Sequence, residues 1–324
     1  MKTISIFTTI TDPEKRQDPY LEAIENYLDF ADEVVIIDGT PKKKRGEYLE
    51  KILQLPQATQ KIKIGFNTWK QEFSWDFIGR QFELGYNACE SDVAIRMDID
   101  YFLHEDDFEY IRLFLEDCEA PAAMFVKRQF ILTDRFGVKS WLPIVFNKKK
   151  FGDRIKLDAG GDLCQPSLDG EELDKDKLPL IKKREYLIVG EDVSEEQIKK
   201  RVPPEVYKEG NSAYSHDTGI PIYNYDFLLK TKEVIKKDFG RFARAWTKTF
   251  NNRTLGGPDD ESAFKLFMRM QLGRLKKGSF ETLPIESYPK YIQDKIKNLK
   301  PEQFGYNCFN KVKKKEDGSL EVDI

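Results

Sequence analysis

The sequence predicts an α/β fold with a doubly wound, mostly parallel sheet, helices on both faces and a helical C-terminal section. Short apolar runs alternate with segments of helical spacing between residues 3 and about 126. One run, Val34–Ile37, is continuously apolar, which is typical of a strand covered on both faces. After residue 230, apolar residues recur mainly at helical spacing.

The first elements follow directly from these patterns. Residues 4–7 form the first strand, and Asp18 with Pro19 supplies an N-cap and a first-turn proline for the first helix. The next predicted elements are strand 34–37, a helix near 49–53, strand 62–64, helix 78–89 and strand 93–97. Strands alternating with helices in this way favour a parallel sheet, whose ligands gather at the carboxyl ends of its strands.

Later elements are shorter or helical. A helix at 105–116 precedes short strands at 124–126, 130–132 and 142–146, whereas 166–213 is charged, proline-rich and expected to be a mobile, partly helical excursion. Strand 220–223 and helices at 235–250, 260–274 and 290–299 complete the chain. One helix carries an aromatic stripe that we expect to lie in the core, formed by Ile235, Phe239, Phe242, Trp246 and Phe250.

Composition limits the class of protein. The 324 residues are 40% hydrophobic and 34% charged, which is enough apolar material for a core under a charged surface. A formal net charge of −3 gives no electrostatic reason to expect general nucleic-acid binding. No segment approaches the ~20 apolar residues of a membrane helix. Four widely spaced cysteines, without CxxC pairing, are expected to be reduced thiols in a cytoplasmic protein.

The strongest candidate for chemistry is Asp98-Ile99-Asp100, directly after the strand 93–97. Two carboxylates two residues apart at a strand end can enter one pocket, where oxygen ligands suit Mg²⁺ or Mn²⁺. The alternative is that these residues form a turn and cap the helix at 105–116. A second copy of the pattern, Asp174-Lys175-Asp176, lies in a polar stretch and is assigned no role.

The order of these features resembles the GT-A glycosyltransferases, and family 2 in particular. The matching features are the first strand, Asp38-Gly39-Thr40 after the second, Arg80 on the helix before the acidic strand, and the Asp98-Ile99-Asp100 string. The resemblance covers residues 1 to about 165. It implies a GT-A fold and hexosyltransferase-like activity, with Thr8, Asp38, Arg80 and Asp98 at a UDP- or GDP-sugar donor. Asp98 and Asp100 would bind Mn²⁺ or Mg²⁺ with the diphosphate.

The acceptor side matches the family less closely. Gly160-Gly161-Asp162 falls where the family places Glu-Asp, so Asp162 alone can be assigned as general base. Asn224 stands where some members have a metal-binding histidine, and His216 is the candidate substitute, although a loop histidine without metal is the alternative. The stacking candidates Trp69, Trp75 and Trp141, and the basic run 42–45, have core packing and a solvated loop as their alternatives.

The resemblance implies a domain division and a reaction. Residues 1–230 form the catalytic domain, with 1–120 binding the donor and 121–230 the acceptor, and residues 231–324 form a helical extension. The expected reaction is metal-dependent transfer of a sugar to a hydroxyl acceptor, with inversion, although retention stays open. The acceptor is a glycan, a lipid-linked intermediate or another small or polymeric molecule. The alternatives are a sugar-1-phosphate nucleotidyltransferase and a catalytically inactive sugar-nucleotide-binding module.

Overall fold

The computed structural model describes residues 1–69, 75–157, 165–183, 219–251, 253–276, 281–306, 312–314 and 320–322. The strands are β1 Ile4–Ile10, β2 Glu33–Asp38, β3 Ile62–Phe66, β4 Val93–Arg96, β5 Tyr101–Phe102, β6 Ala122–Leu132, β7 Arg135–Asn147, β8 Ile155–Leu157, β9 Pro166–Leu168, β10 Glu171–Glu172, β11 Pro221–Asn224, β12 Glu281–Thr282, β13 Val312–Lys314 and β14 Leu320–Val322. The α-helices are α1 Pro13–Arg16, α2 Tyr20–Phe30, α3 Tyr48–Leu53, α4 Ala58–Lys61, α5 Trp75–Ala88, α6 Phe108–Asp117, α7 Lys148–Phe151, α8 Lys232–Phe250, α9 Asp260–Lys276 and α10 Lys290–Lys297.

The central sheet has the strand order β3-β2-β1-β4-β7-β6-β11-β5, and β12 pairs with β7. Strands β3, β2, β1 and β4 run parallel to one another, as do β6 and β11, whereas β7 is antiparallel to both of its neighbours in this order. The predicted fold class, an α/β protein with a mostly parallel central sheet, is therefore confirmed. Ile10 pairs with Asp38 and Phe7 with Arg96, so the carboxyl ends of β1, β2 and β4 meet at one edge.

The two faces of the sheet are separated by the alternation of side chains along each strand. On β2, Val34 and Ile36 belong to a cluster that includes apolar residues of α2, whereas Val35 and Ile37 belong to one that includes Phe82 of α5. Burying each such side chain contributes about 1.5–3 kcal/mol relative to leaving it exposed. The continuous apolar run therefore forms a strand because helices cover both of its faces.

The start of α2 differs from the sequence prediction. The helix begins at Tyr20 with Pro19 at the N-cap position, and no side chain caps it. The predicted N-cap role of Asp18 is therefore wrong. Its carboxylate instead forms ion pairs with Arg16 and with Lys230, at 3.2 and 3.0 Å.

The C-terminal helices pack in two places. Helices α8 and α9 contact each other, and α10 returns to α2, where Ile292 and Ile296 join the main apolar cluster. The aromatic stripe on α8 was expected to lie in the core, and this is only partly correct. Ile235 is buried, but Phe242 and Phe250 are 37% and 46% exposed. Within the described part of the chain, no helix is both long and apolar enough to cross a membrane.

Residues 165–183 also pack against the domain. Strand β9 pairs with β8 and β10 in a small antiparallel sheet, and Ile181 is fully buried. Leu180 forms a bridge to Met124 of β6. The remainder of the predicted excursion, 184–213, lies outside the described residues, so its mobility stays a prediction.

Gly240 allows α8 and α9 to approach closely, which makes its substitution a test of this packing. A Cβ atom there would lie 1.8 Å from Asp260 Oδ1 and 2.8 Å from the Asp260 Cα atom, so the backbone of α9 would have to move. We expect Gly240→Ala to destabilise the protein by about 1–3 kcal/mol, because overpacking exceeds the gain in helix propensity of roughly 1 kcal/mol.

The measurement is the midpoint of thermal unfolding. Lys237→Ala, at an exposed position of the same helix, is the control and should leave the midpoint nearly unchanged. A midpoint for Gly240→Ala at or above that of the wild type would contradict the close approach of the two helices.

Candidate active site

The Asp98-Ile99-Asp100 string lies in the turn between β4 and β5, where Tyr101 N donates to Asp98 O at 2.9 Å. Tyr27 of α2, which is fully buried, contacts the backbone of this turn. Tyr27 Oη lies 2.7 Å from the carbonyl oxygen of Asp98 and 2.9 Å from that of Tyr101. These contacts fix the backbone of the turn, and the two carboxylates lie at the edge of the sheet where the parallel strands end.

Asp98 is paired with a cation from the preceding strand. Arg96 Nη2 lies 3.1 Å from Asp98 Oδ1, and the guanidinium carbon stacks 4.1 Å from the centroid of the Phe82 ring. The Arg96 side chain is 4% exposed and that of Asp98 is 26% exposed. The pair therefore presents a carboxylate to the cavity while its partner is held within the protein.

Asp100 has a different environment. Its Oδ2 atom accepts a hydrogen bond from Asn224 Nδ2 of β11 at 2.8 Å. Removal from bulk water, and then the neighbouring carboxylates of Asp226 and Asp98, raise the pKa of Asp100 well above its ordinary value. The Asp100 carboxyl group therefore lies close to other negative charges, and a bound cation would reduce the repulsion between them.

The alternative role of these two residues as helix caps does not agree with the structure. The 3₁₀ turn Glu105–Asp107 before α6 begins after His104, whose Nδ1 atom accepts a hydrogen bond from Asp106 N. Asp107 occupies the N-cap position of α6 itself. The carboxylates of Asp98 and Asp100 thus remain available to the cavity.

A cavity of about 400 Å³ opens at this edge, and both carboxylates line it. One wall consists of Thr9, Thr11, Trp69, Ile78 and Phe82, and we call it the donor-side wall because the sequence resemblance predicts a donor at this edge of the sheet. Lys127 and Gln129, alternate residues of β6, also line the cavity, and Lys127 Nζ donates to Tyr101 Oη of β5 at 2.6 Å. A volume of this order is typical of a pocket for a small molecule.

A buried ionic cluster borders the cavity next to Asp100. Lys230 is 2% exposed, and its Nζ atom lies 3.0 Å from Asp18, 2.6 Å from Asp226 and 3.2 Å from Asp238. Burial alone would lower the pKa of Lys230, but the three carboxylates raise it above its ordinary value. The cluster joins the segment between α1 and α2, the turn after β11 and helix α8.

Two arginines complete this ionic cluster. Arg16 contacts Asp18 and Asp238, at 3.2 and 3.7 Å, and Arg241 contacts Asp238 at 2.9 Å. Although burial acts to raise the pKa of Asp238, Arg16, Lys230 and Arg241 hold it below its ordinary value. The charges in this part of the cavity wall are therefore closely balanced.

Gly39 explains how Trp69 reaches the donor-side wall. A Cβ atom at Gly39 would lie 1.7 Å from Trp69 Cδ1, and the Trp69 N–H donates to Gly39 O at 2.8 Å. The indole ring packs edge-on against Phe77, with 5.5 Å between the ring centroids. The glycine of Asp38-Gly39-Thr40 is therefore needed for the indole to lie against this segment.

Three of the predicted donor residues do not line the cavity. Asp38 is fully buried, where Oδ1 accepts from Thr40 N at 2.7 Å and Oδ2 accepts from Tyr48 Oη at 2.9 Å. Thr8 is also buried, and Arg80 lies on the exposed side of α5. Of the predicted donor and metal residues, Asp98 and Asp100 are the two that the described structure brings together in the cavity.

Two further predictions fall outside the described residues. Asp162 lies in 158–164 and His216 in 184–218, so the roles of general base and third metal ligand stay predictions. The side chains of Trp75 and Trp141, which were candidates for stacking, are not described either.

The chemistry of the carboxylate pair fits a divalent cation held together with phosphate. Among the residues that the structure describes, no group of three or more His, Cys, Asp or Glu side chains is arranged to hold a metal ion. Mg²⁺ and Mn²⁺, however, commonly take one or two protein carboxylates and complete their shell with water and substrate phosphate. The raised pKa of Asp100 is consistent with such a site, because a cation would offset the like-charge repulsion.

Most of the polar cavity wall was not predicted from the sequence. Arg16, Asp18, Lys127, Asp226 and Lys230 were not identified as site residues, although all five line the cavity. The position of Asn224 was recognised, but its contact with Asp100 was not. A sequence signal did exist for part of this set, because Asp226 and Lys230 lie four residues apart directly after a strand.

Comparison with known proteins gives limited similarity. No family model and no curated protein matches the chain. The crystal structure of S. aureus TarS 1-349 covers 47% of this chain and 48% of its own, with 12% identity and a TM-score of 0.33. TarS 1-349 in complex with UDP-GlcNAc covers 40% of this chain and 35% of its own, with 14% identity and a TM-score of 0.32. This chain therefore spans about half or less of those chains, and TM-scores this low carry no argument about its activity.

The contrast between the two carboxylates predicts opposite effects of the same substitution. A raised pKa in the folded state means that stability is lost as pH rises from the unfolded value of about 4 through the folded value. An asparagine at position 100 does not ionise, so Asp100→Asn removes the loss of stability with rising pH. Its amide oxygen can still accept the hydrogen bond from Asn224. We expect it to raise the unfolding midpoint of the metal-free protein at pH 7.5 by about 2 °C, equivalent to roughly 1 kcal/mol.

Asp98→Asn is the matched control. It removes an ion pair made by the buried Arg96, so the unfolding midpoint should fall. Thermal unfolding of both variants between pH 5 and pH 8 tests the contrast, and the gain for Asp100→Asn should shrink toward pH 5. Equal losses in the two variants would show that the two carboxylates are not in different environments.

Proposed function

We propose that this protein is a metal-dependent glycosyltransferase that moves a sugar from a nucleoside-diphosphate sugar to a hydroxyl acceptor. The observation that carries the proposal is the pair of carboxylates, Asp98 and Asp100, in one cavity at the carboxyl ends of the parallel strands. This edge is where sheets of this class bind nucleotides. The order of sequence motifs that resembles family 2 supports the same reaction.

Asp98 and Asp100 would hold Mn²⁺ or Mg²⁺, which would neutralise charge on the donor diphosphate when bound. Arg96 forms an ion pair with the Asp98 carboxylate at 3.1 Å, and Asn224 donates a hydrogen bond to the Asp100 carboxylate at 2.8 Å. Each carboxylate is thereby oriented before the donor arrives. Such preorganisation reduces the reorganisation needed when charge develops on a leaving group.

We place the nucleobase against Trp69 on the donor-side wall. An indole offers a flat face for a base, and Gly39 admits the ring at this position. The family resemblance instead places the nucleobase against Asp38. The carboxylate oxygens of Asp38, however, already accept hydrogen bonds from Thr40 N and Tyr48 Oη. In this proposal Asp38 therefore shapes the segment that supports Trp69.

The reaction is a displacement at the anomeric carbon. An acceptor hydroxyl oxygen forms the new glycosidic bond as the bond from that carbon to the phosphate oxygen breaks, and the nucleoside diphosphate leaves. The hydroxyl proton passes to a general base, which the family resemblance assigns to Asp162. Attack from the face opposite the leaving group inverts the anomeric centre.

The carboxylate pair is tested by the hydrolysis of UDP- and GDP-sugars in Mn²⁺, a reaction in which water replaces the acceptor. We expect the double variant Asp98→Asn with Asp100→Asn to lose at least about 100-fold of the Mn²⁺-dependent rate, since the metal and the diphosphate lose their protein ligands. Product nucleotide release measures the rate, and circular dichroism checks the fold.

The second acidic string supplies a matched control. Asp174 and Asp176 have the same spacing, and Asp174 pairs with Lys177 at the surface. Their double substitution to Asn should leave the rate unchanged. Full Mn²⁺-dependent hydrolysis in the Asp98 and Asp100 double variant would refute this site.

The general base is tested separately. Asp162→Asn should lower the rate of transfer by about 10²–10⁴-fold while the affinity for the nucleotide changes little, because a base acts on the acceptor proton. Steady-state transfer kinetics and calorimetric nucleotide binding are the two measurements. If nucleotide affinity collapses instead, Asp162 is a donor ligand, and Asp158 and Asp217 become the next candidates for the base.

A further inference from the structure

The cavity has an apolar wall in addition to its donor-side wall. This wall, which we call the α8–α9 wall, is formed by Phe227, Phe239, Phe242, Leu266, Phe267 and Met270. The proposed donor chemistry uses none of these residues. A nucleoside diphosphate sugar is polar along most of its length, so a wall of this composition calls for a different ligand.

The aromatic rings of the α8–α9 wall pack closely against one another. Phe239 and Phe267 stack with their centroids 3.9 Å apart, and Phe227 lies 4.9 Å from Phe267 and 5.5 Å from Phe239. The inner rings are well covered, with Phe227 and Phe267 only 4% and 7% exposed. This stack therefore forms a preformed apolar surface at the inner end of the wall.

The outer part of the wall remains partly open to solvent. Phe242 is 37% exposed and Met270 is 43% exposed, and both line the cavity. Exposed apolar side chains that border a concave site are a common feature of ligand-binding surfaces. The wall thus runs from a covered aromatic stack to an apolar rim.

The apolar wall and the carboxylate pair share one continuous space. Asn224, the last residue of β11, donates a hydrogen bond to Asp100. Asp226 and Phe227 follow closely after this strand, and Phe227 is the first residue of the apolar wall. Between them, the buried ionic cluster pairs Lys230 with Asp18, Asp226 and Asp238. Because these charges balance one another, a charged ligand group gains little there, and the space beyond favours an uncharged group.

We propose that the α8–α9 wall is the acceptor subsite, and that the acceptor is an amphiphile with a hydroxylated head and a short alkyl or aromatic tail. The head lies beside the carboxylate pair and the tail lies on the apolar wall. This proposal rests on the proposed glycosyltransferase function, which it deepens by naming the class of acceptor.

The test compares methyl and octyl β-glucoside as probe molecules, below the micelle concentration of the octyl compound. Binding to the full chain is measured by calorimetry, and transfer is measured with the sugar nucleotide that supports hydrolysis. The octyl compound should bind at least about tenfold more tightly than the methyl compound, because its tail buries additional methylene groups. It should also be the better acceptor.

Phe242→Ser and Phe250→Ser form a matched pair for this test. Both residues lie on α8 with comparable exposure, 37% and 46%, but only Phe242 lines the cavity. Phe242→Ser and Met270→Gln should each reduce the preference for the octyl compound by about fivefold or more, whereas Phe250→Ser should retain it. Hydrolysis of the donor should be unchanged in Phe250→Ser, which lies outside the cavity, and the preference for the octyl compound is compared with the hydrolysis rate of the same variant.

The outcomes separate this proposal from the proposed function. Equal binding of the two glucosides, or a preference that survives Phe242→Ser and Met270→Gln, overturns the apolar acceptor subsite while donor hydrolysis still supports the glycosyltransferase. A preference that depends on Phe242, in a protein that hydrolyses no sugar nucleotide, overturns the glycosyltransferase and with it the assignment of this ligand as an acceptor. Preferential transfer to the octyl compound that Phe242→Ser abolishes supports both.

Discussion

The buried hydroxyl of Tyr27 fixes the turn on which the site depends. It lies within hydrogen-bond distance of two carbonyl oxygens, those of Asp98 and Tyr101, and the side chains of Tyr27 and Tyr101 are buried. A buried polar backbone group without a partner is costly, so the turn and helix α2 require each other. The direction of both carboxylates follows from this arrangement, and all proposed chemistry follows from those carboxylates.

The electrostatics around this turn divide the cavity into regions of different character. Arg96 is paired with Asp98, and the ionic cluster at Lys230 balances its own charges, whereas Asp100 retains like-charged neighbours. Lys230 acts on Asp100 in the opposite direction, but the pKa of this carboxyl group remains raised, so a cation would be favoured beside it more than beside the balanced wall. The same sheet edge therefore supports a metal–phosphate position and, beyond the ionic cluster, an apolar one. Local electrostatic strain of this kind is common at functional sites where a bound ligand supplies the opposite charge.

The sequence predicted the parts of this protein that depend on local pattern. Val34–Ile37 and Asp98-Ile99-Asp100 were recognisable because a buried strand and its acidic end lie within a few residues of each other. The contact between Asn224 and Asp100 joins residues 124 positions apart, and no local pattern encodes it. Asp18 was misread for the same reason. Its position before Pro19 fits an N-cap, but its carboxylate pairs with the nearby Arg16 and with Lys230, which is distant in sequence. Phe242 followed a core pattern, whereas the cavity leaves it partly exposed.

The central claim is that Asp98 and Asp100 hold one divalent cation together with nucleotide phosphate. Anomalous diffraction from a crystal grown with Mn²⁺ and UDP or GDP tests this claim most directly, because the manganese signal locates the ion independently of the surrounding density. The account predicts an anomalous peak within coordination distance of both carboxylates and of the diphosphate, about 2.0–2.3 Å from the ligand oxygens. A bound nucleotide without manganese at these residues, or with the two side chains turned away from the phosphates, would contradict it.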